Sequence, residues 1–163
     1  MASDTLFMLA TRVGARLKAK GLMLASAESC TGGWVAQAVT AISGSSEWFD
    51  RGFITYSNQA KREMLGVRAE TLDAYGAVSE PTAREMASGA LAHSGAGLSV
   101  AVTGVAGPSG GSAEKPVGTV CFAWASRDGA VESEIHRFEG DRESIRRQSV
   151  IHSLQGVIER VQD

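Results

Sequence analysis

The sequence predicts an α/β fold: a three-layer α/β/α sandwich around a mixed, mostly parallel sheet. Stretches with apolar residues at helical spacing alternate with short apolar runs of strand length, and that alternation is the pattern of strand-helix units. Asp128-Gly129, between two apolar runs, marks a hairpin and so one antiparallel pair within an otherwise parallel sheet.

Leu6, Leu9, Val13 and Leu17 share one helical face, with Ser3 or Asp4 as cap and Gly21 as stop, and predict the first helix. The apolar run from Leu22 to Glu28 predicts a strand, the Ser29 to Gly33 turn follows, and Trp34 to Ile42 reads as helix. Trp48 to Tyr56 mixes aromatic and β-branched types and predicts a second strand. Ser57 or Asn58 then caps a short helix through Lys61 and Leu65 that Gly66 closes. Ser79 and Pro81 announce a helix over Thr82 to Ala92, ahead of a strand from Leu98 to Thr103. A glycine-rich loop, Gly104 to Lys115, leads into strands at Val117 to Ala125 and Val131 to Phe138. Asp141 caps a last helix in which Ile145, Val150, Ile151, Leu154, Ile158 and Val161 keep helical spacing. The tryptophans, Trp34, Trp48 and Trp124, are scattered and read as core or pocket wall rather than as a nucleic-acid stacking stripe.

With 163 residues and no linker or repeat, the chain is expected to form one domain over 1–163. Its 44% hydrophobic and 21% charged content is that of an ordinary globular protein, which excludes disorder and fibrous repeats. A net charge of -2 with no basic run gives no electrostatic reason to expect nucleic acid or an acidic membrane surface as partner. Cys30 and Cys121 are too few for a disulfide framework and lack zinc-site spacing, which fits a reducing cytoplasm. The first nine residues lack a basic leader, and the uncharged stretch from Met86 to Ala113 is interrupted by glycines, serines, His93 and Pro108, so neither a signal peptide nor a membrane span is expected.

Ligand sites of such folds lie at the carboxyl ends of strands, where three segments stand out: Ala27 to Gly33, Tyr56 to Lys61 and Thr103 to Gly111. Ser29, between a strand and a helix, reads either as a nucleophile presented to helix N-terminal amides or as a capped turn. His93, His136 and His152 fall at no strand end beside a glycine turn, so a histidine triad stays open without support, and lysine is the other candidate base. Lys18 and Lys20 suit the solvated end of the first helix. Lys61, five residues after Tyr56, reads as a base whose pKa burial has lowered or as an exposed helix lysine. The Thr103 to Gly111 loop offers amides to an anion or is a flexible surface loop; its glycines fit neither a Walker A loop nor GxGxxG. Cys30 is an activated thiolate or small buried packing, and Arg142 an anion fork or a solvated arginine. Ser112 to Lys115 fits SxxK without its companion motifs and is set aside as chance.

Together, Ala-Glu-Ser-Cys-Thr-Gly-Gly at 27–33, Gly-Phe-Ile-Thr-Tyr-Ser-Asn at 52–58 with Lys61, Thr-Gly-Val-Ala-Gly-Pro-Ser-Gly-Gly at 103–111, Lys-Pro-Val-Gly-Thr-Val at 115–120 and Gly-Asp-Arg at 140–142 resemble the CinA C-terminal domain family over nearly the whole chain. Without the N-terminal nucleotide-processing domain of longer CinA proteins, the chain resembles the stand-alone form. The resemblance implies nicotinamide-nucleotide amidohydrolase activity: deamidation of nicotinamide mononucleotide to nicotinic acid mononucleotide and ammonia. It implies Ser29 as nucleophile with Lys61 and Tyr56 handling protons, and amides at Cys30, Thr31, Gly32 and Gly33 holding the oxyanion. Thr103, Gly104 and Gly107 of the loop, with Arg142, are then the expected contacts to ribose and phosphate. No metal or organic cofactor is required, and a homodimer is implied.

The alternative is a non-catalytic nucleotide-binding or competence- and DNA-damage-associated interaction domain. An intact Ser29, Tyr56 and Lys61 set argues against it. A short-chain dehydrogenase-like reading of Tyr56 and Lys61 fails because four residues rather than three separate them and no amino-terminal dinucleotide loop is present.

Overall fold

The computed structural model describes residues 2–161. They run as α1 (Ala2–Lys20), β1 (Leu24–Glu28), α2 (Trp34–Thr40), a 3-10 turn (Ser45–Glu47), β2 (Phe49–Ile54), α3 (Asn58–Leu65), α4 (Ala69–Tyr75), α5 (Glu80–Ala92), β3 (Leu98–Gly104), β4 (Thr119–Ser126), β5 (Val131–Arg137) and α6 (Arg142–Arg160). The strands form one sheet in the order β2-β1-β3-β4-β5. β1 is parallel to both β2 and β3, while β4 is antiparallel to β3 and β5. Four strands therefore point one way and β4 alone opposes them, the mixed sheet the sequence predicts. Helices α1, α2 and α6 cover one face and α3, α4 and α5 the other, which completes three layers.

Side-chain alternation along the strands gives the two faces different grain. Toward α1 and α6 the sheet presents Leu24, Val100, Val102, Val120, Phe122 and Trp124. Toward α5 it presents Ala25, Ala27, Ala101, Cys121, Ala123 and Ala125, met by Ala83, Ala87 and Ala90 of the helix. Small residues on both sides bring α5 close enough for Ser99 Oγ to donate to the Ala87 carbonyl at 2.7 Å. On the coarser face, two tryptophans seat on helical glycines. A Cβ at Gly156 would stand 2.1 Å from the Trp124 ring, and one at Gly14 would stand 2.5 Å from Trp48. Trp48 and Trp124 are core, whereas Trp34 is half-buried beneath the Arg146 and Arg147 guanidinium groups at 5.4 and 5.2 Å.

Several boundaries differ from the sequence expectation. Helix α1 already includes Ala2, so Ser3 and Asp4 lie inside its first turn instead of ahead of it, and their side chains fall outside the described residues. β1 begins at Leu24 rather than Leu22, and β2 ends at Ile54, leaving Tyr56 beyond the sheet. α2 stops at Thr40, two residues short of Ile42. β4 starts at Thr119 because Val117 and Gly118, the latter with φ 96°, belong to a turn closed by Thr119 N–H donating to the Pro116 carbonyl. α5 begins at Glu80 rather than Thr82, with Pro81 inside its first turn, and His93 caps its end. Helix α4 has no counterpart in the sequence reading, since Arg68 caps it with no side-chain hydrogen bond of its own. Its N-terminal donor is met from α5: Glu85 accepts from the Arg68 N–H at 2.9 Å and from the Thr71 hydroxyl. Among the described residues no helix is long and apolar enough to cross a membrane.

Candidate active site

β1 and β2 end side by side, with Glu28 opposite Ile54, and Thr55 N–H donating to the Glu28 carbonyl at 2.8 Å extends the pairing by one step. On the other side Ser29 N–H donates to the Val102 carbonyl of β3 at 3.0 Å. Ser29 is thus pinned between two strand ends. The Ser57 hydroxyl accepts from Ala60 N–H and starts α3, so Lys61 sits on the first turn with its side chain folded back across the strand ends.

Lys61 is 1% exposed. Its Nζ lies 3.0 Å from Ser29 Oγ, 3.0 Å from the Thr55 carbonyl and 3.3 Å from the Tyr56 carbonyl. No carboxylate pairs with it among the described residues, and burial pushes its pKa below the ordinary lysine value. A neutral amine suits this surround: two N–H bonds go to the two carbonyls, and the lone pair is left facing the Ser29 hydroxyl. Of the two readings of Lys61, the exposed helix lysine is the one the geometry removes.

Glu28 organises the turn, and the sequence reading assigned it no role. It is 1% exposed at the end of a strand whose other residues are all buried. Its Oε1 accepts from Thr31 Oγ1 at 2.6 Å, Gly33 N–H at 3.2 Å and Val35 N–H at 2.9 Å, while Oε2 accepts from Ala36 N–H at 3.1 Å. The amino end of α2 is therefore filled by this carboxylate and is not open to a developing oxyanion. Gly32 N–H is also taken, by the Ser29 carbonyl at 3.1 Å. Of the four amides expected to hold an oxyanion, those of Gly32 and Gly33 are committed to the turn, that of Cys30 faces its own thiol, and that of Thr31 meets no acceptor among the described residues. Arg146 of α6 clamps the same turn, donating to the Cys30 carbonyl at 3.0 Å and the Thr31 carbonyl at 3.1 Å. Gly32 and Gly33 meet the backbone need of the turn, with φ of 60° and 108°.

Cys30 is buried and its thiol is pushed up to about 12, first by desolvation and then by the Glu28 charge, so it is neutral and packed rather than an activated thiolate. The Tyr56 side chain is 65% exposed. Its hydroxyl faces Arg142 Nη2 at 3.4 Å, and it is the Tyr56 backbone carbonyl that meets Lys61. Arg142, on the first turn of α6, also donates to the Gly107 carbonyl at 2.7 Å.

These groups surround a cleft of about 280 Å3 lined by Ser29, Cys30, Tyr56, Lys61, Thr103 and Arg142 together with Asn58, Ala77, Val78, Gly104 and Ala106. The lining carries no imidazole or carboxylate for a metal. Of the other expected site residues, Thr31, Gly32 and Gly33 build the turn behind Ser29, and Gly107 holds Arg142 without reaching the cleft. Asn58 enters it unforeseen beyond its place in a quoted motif. Cys121 is core, and Lys115 Nζ donates to the Tyr75 carbonyl rather than to Ser112.

The family model described as CinA C-terminal domain matches residues 7–161. The chain is 56% identical over 155 residues to the nicotinamide-nucleotide amidohydrolase PncC of Enterobacter agglomerans, covering 95% of this chain and 94% of the relative. Identity to the protein of the same name from Escherichia coli (strain K12) is 54% over 155 residues, with the same coverage. Among solved structures, the competence/damage inducible protein CihA from Agrobacterium tumefaciens superposes with a TM-score of 0.95 at 50% identity, covering 97% of this chain and 96% of that one.

Proposed function

The chain belongs to the CinA C-terminal domain family, and from that membership we propose that it hydrolyses the carboxamide of nicotinamide mononucleotide through Ser29. The single observation that carries the mechanism is the buried contact between Lys61 Nζ and Ser29 Oγ at 3.0 Å. The names of its relatives supply the substrate.

Ser29 Oγ attacks the carboxamide carbon as its proton passes to the neutral Lys61 amine. The carbonyl oxygen, now negative, is received by the Cys30 N–H, the amide following the nucleophile on the cleft wall, with the Thr31 N–H behind it. Lys61, now an ammonium, returns the proton to the departing nitrogen, which leaves as ammonia, and an acyl-enzyme remains on Ser29. A water then gives its proton to Lys61, attacks the ester carbon and releases nicotinic acid mononucleotide, and the Ser29 hydroxyl takes its proton back. Transfer from Ser29 to Lys61 is direct, because the Tyr56 hydroxyl points to Arg142. Arg142 and Tyr56 receive the ribose phosphate, with Thr103 and Gly104 also lining the cleft. A cleft of about 280 Å3 lies near the small end of ligand pockets, which run roughly 300–1,000 Å3, and suits the nicotinamide ring with the phosphate held at the rim.

The test incubates wild type and Ser29→Ala with nicotinamide mononucleotide and follows nicotinic acid mononucleotide and ammonia together. Equimolar products from wild type alone are expected. Equal turnover by the variant would remove Ser29 from the chemistry, and no product from folded wild type would leave a nucleotide-binding domain without catalysis.

A further inference from the structure

On the edge strand β5, Glu134 and His136 stand two residues apart and therefore project from the same face, toward α6, which supplies His152. Both imidazole Nε2 atoms converge on one carboxylate oxygen, Glu134 Oε1, at 2.8 and 2.9 Å. The three donor atoms all lie within 4.8 Å of one another, and each side chain is partly open to solvent. We propose that Glu134, His136 and His152 form a binding site for a zinc-class divalent transition-metal ion, separate from the Ser29 cleft.

Two imidazoles and one carboxylate are the donor set that borderline ions of this class prefer to oxygen-only cages. Tetrahedral zinc with bonds near 2.0–2.1 Å needs donors roughly 3.3 Å apart, so the oxygen-to-nitrogen spacings must open by about half an ångström. Bond rotation in a half-exposed glutamate supplies that. The rings are held in advance: His152 packs edge-on to Phe122 with centroids 4.6 Å apart, and His136 stacks on Phe138 at 6.0 Å. Arg160 is the opposing charge in the vicinity, and it lies against the other oxygen, Oε2, at 3.4 Å and against Glu132. Oε1 stays available to the ion. Three protein donors leave a fourth position to water, as in an open rather than a closed zinc site. Ligation would tie β5 to α6, the helix whose first turns carry Arg142 to the cleft and Arg146 to the turn that holds Ser29.

The experiment titrates chelator-treated full-length protein with ZnCl2 by calorimetry and with CoCl2 by visible absorption. One saturable zinc site per chain and cobalt d–d bands are expected, with affinity at least ten-fold weaker in His136→Gln and Glu134→Gln variants of native circular dichroism. No saturable binding by wild type, or equal binding by the folded variants, overturns the proposal. Where a variant does not fold, nitrogen ligation in the wild-type cobalt spectrum decides: its presence upholds the site and its absence overturns it. Binding is read without substrate, so it stands or falls independently of the amidohydrolase reading.

Discussion

Lys61 Nζ stands 3.0 Å from Ser29 Oγ across the ends of two neighbouring parallel strands, and the lysine carries no acidic partner among the described residues. The pair is brought together by the sheet, with Ser29 on the turn after β1 and Lys61 on the helix after β2.

Lys61→Arg should lower kcat by about 10²–10⁴, the usual contribution of a positioned acid-base group, because a guanidinium stays charged throughout the working range. In the proposed mechanism only the neutral amine accepts the Ser29 proton. Rates of ammonia release across a buffer series should therefore fall on the acid side, with a midpoint below the ordinary lysine value of about 10.4. The sign for stability follows from the same shift. Between the lowered folded pKa and the unfolded value the unfolded chain binds the extra proton, so the fold should gain stability as pH rises through that window. Urea denaturation of wild type and Lys61→Met across that range checks it, the variant losing the slope.

Cys30→Ala should keep kcat within a few-fold of wild type, since its thiol is pushed up to about 12 and its backbone N–H survives the change. Slow reaction of wild type with iodoacetamide at neutral pH is the companion measurement. Rapid alkylation with loss of turnover would transfer the nucleophile to Cys30.

Glu28→Gln should cost about 1–3 kcal/mol in urea denaturation, because an amide NH2 would face N–H donors that the carboxylate now satisfies. Turnover should fall as well, for the turn that this carboxylate holds carries Ser29. Thr31→Val removes one of its bonds and should show a smaller loss of both.

Gly156→Ala sets two effects against each other. Helix propensity favours alanine by about 1 kcal/mol. The added Cβ would stand 2.1 Å from the Trp124 ring, and overpacking of this kind costs about 1–3 kcal/mol. A net loss is expected by guanidinium denaturation, and a more stable variant would show that the ring gives way freely.

Arg142→Ala should raise KM for nicotinamide mononucleotide about ten- to a hundred-fold, the value of a charge-assisted hydrogen bond of about 1.5–3 kcal/mol, while changing kcat little. Steady-state kinetics separates the two constants. A fall in kcat at unchanged KM would move Arg142 from phosphate binding to the chemistry.

What the sequence made legible was local. Caps at Ser57, Ser79 and Asp141 are filled in the structure by the hydroxyl or carboxylate of the residue itself, and the Asp128-Gly129 turn joins β4 to β5. Ser29 and Lys61 were legible as separate readings, each weak until the family motifs joined them, because a separation of 32 positions hides their contact. Glu28 escaped notice since three of its four partners are backbone amides, which leave no mark in composition. Arg146 reaches the turn from 116 residues away, and the cap of α4 comes from another helix. Tyr56 shows the reverse: the resemblance gives its side chain a part in proton handling, but its carbonyl is what meets Lys61, and its hydroxyl faces Arg142 instead.

The alanine-lined face beneath α5 divides the molecule into halves of unequal tolerance to change. Against the coarse face, a lost methylene can be made up by a neighbouring leucine or valine that shifts rotamer. Where alanine meets alanine there is nothing to trim and no side chain to swing aside, so any larger residue must push the helix bodily from the strands. A saturation mutational scan should therefore show a bipartite map, permissive on the α1 and α6 side except at Gly14 and Gly156, where the tryptophan rings seat, and nearly closed to enlargement on the α5 side. Sequence diversity for stabilising this scaffold is best sought in the first half.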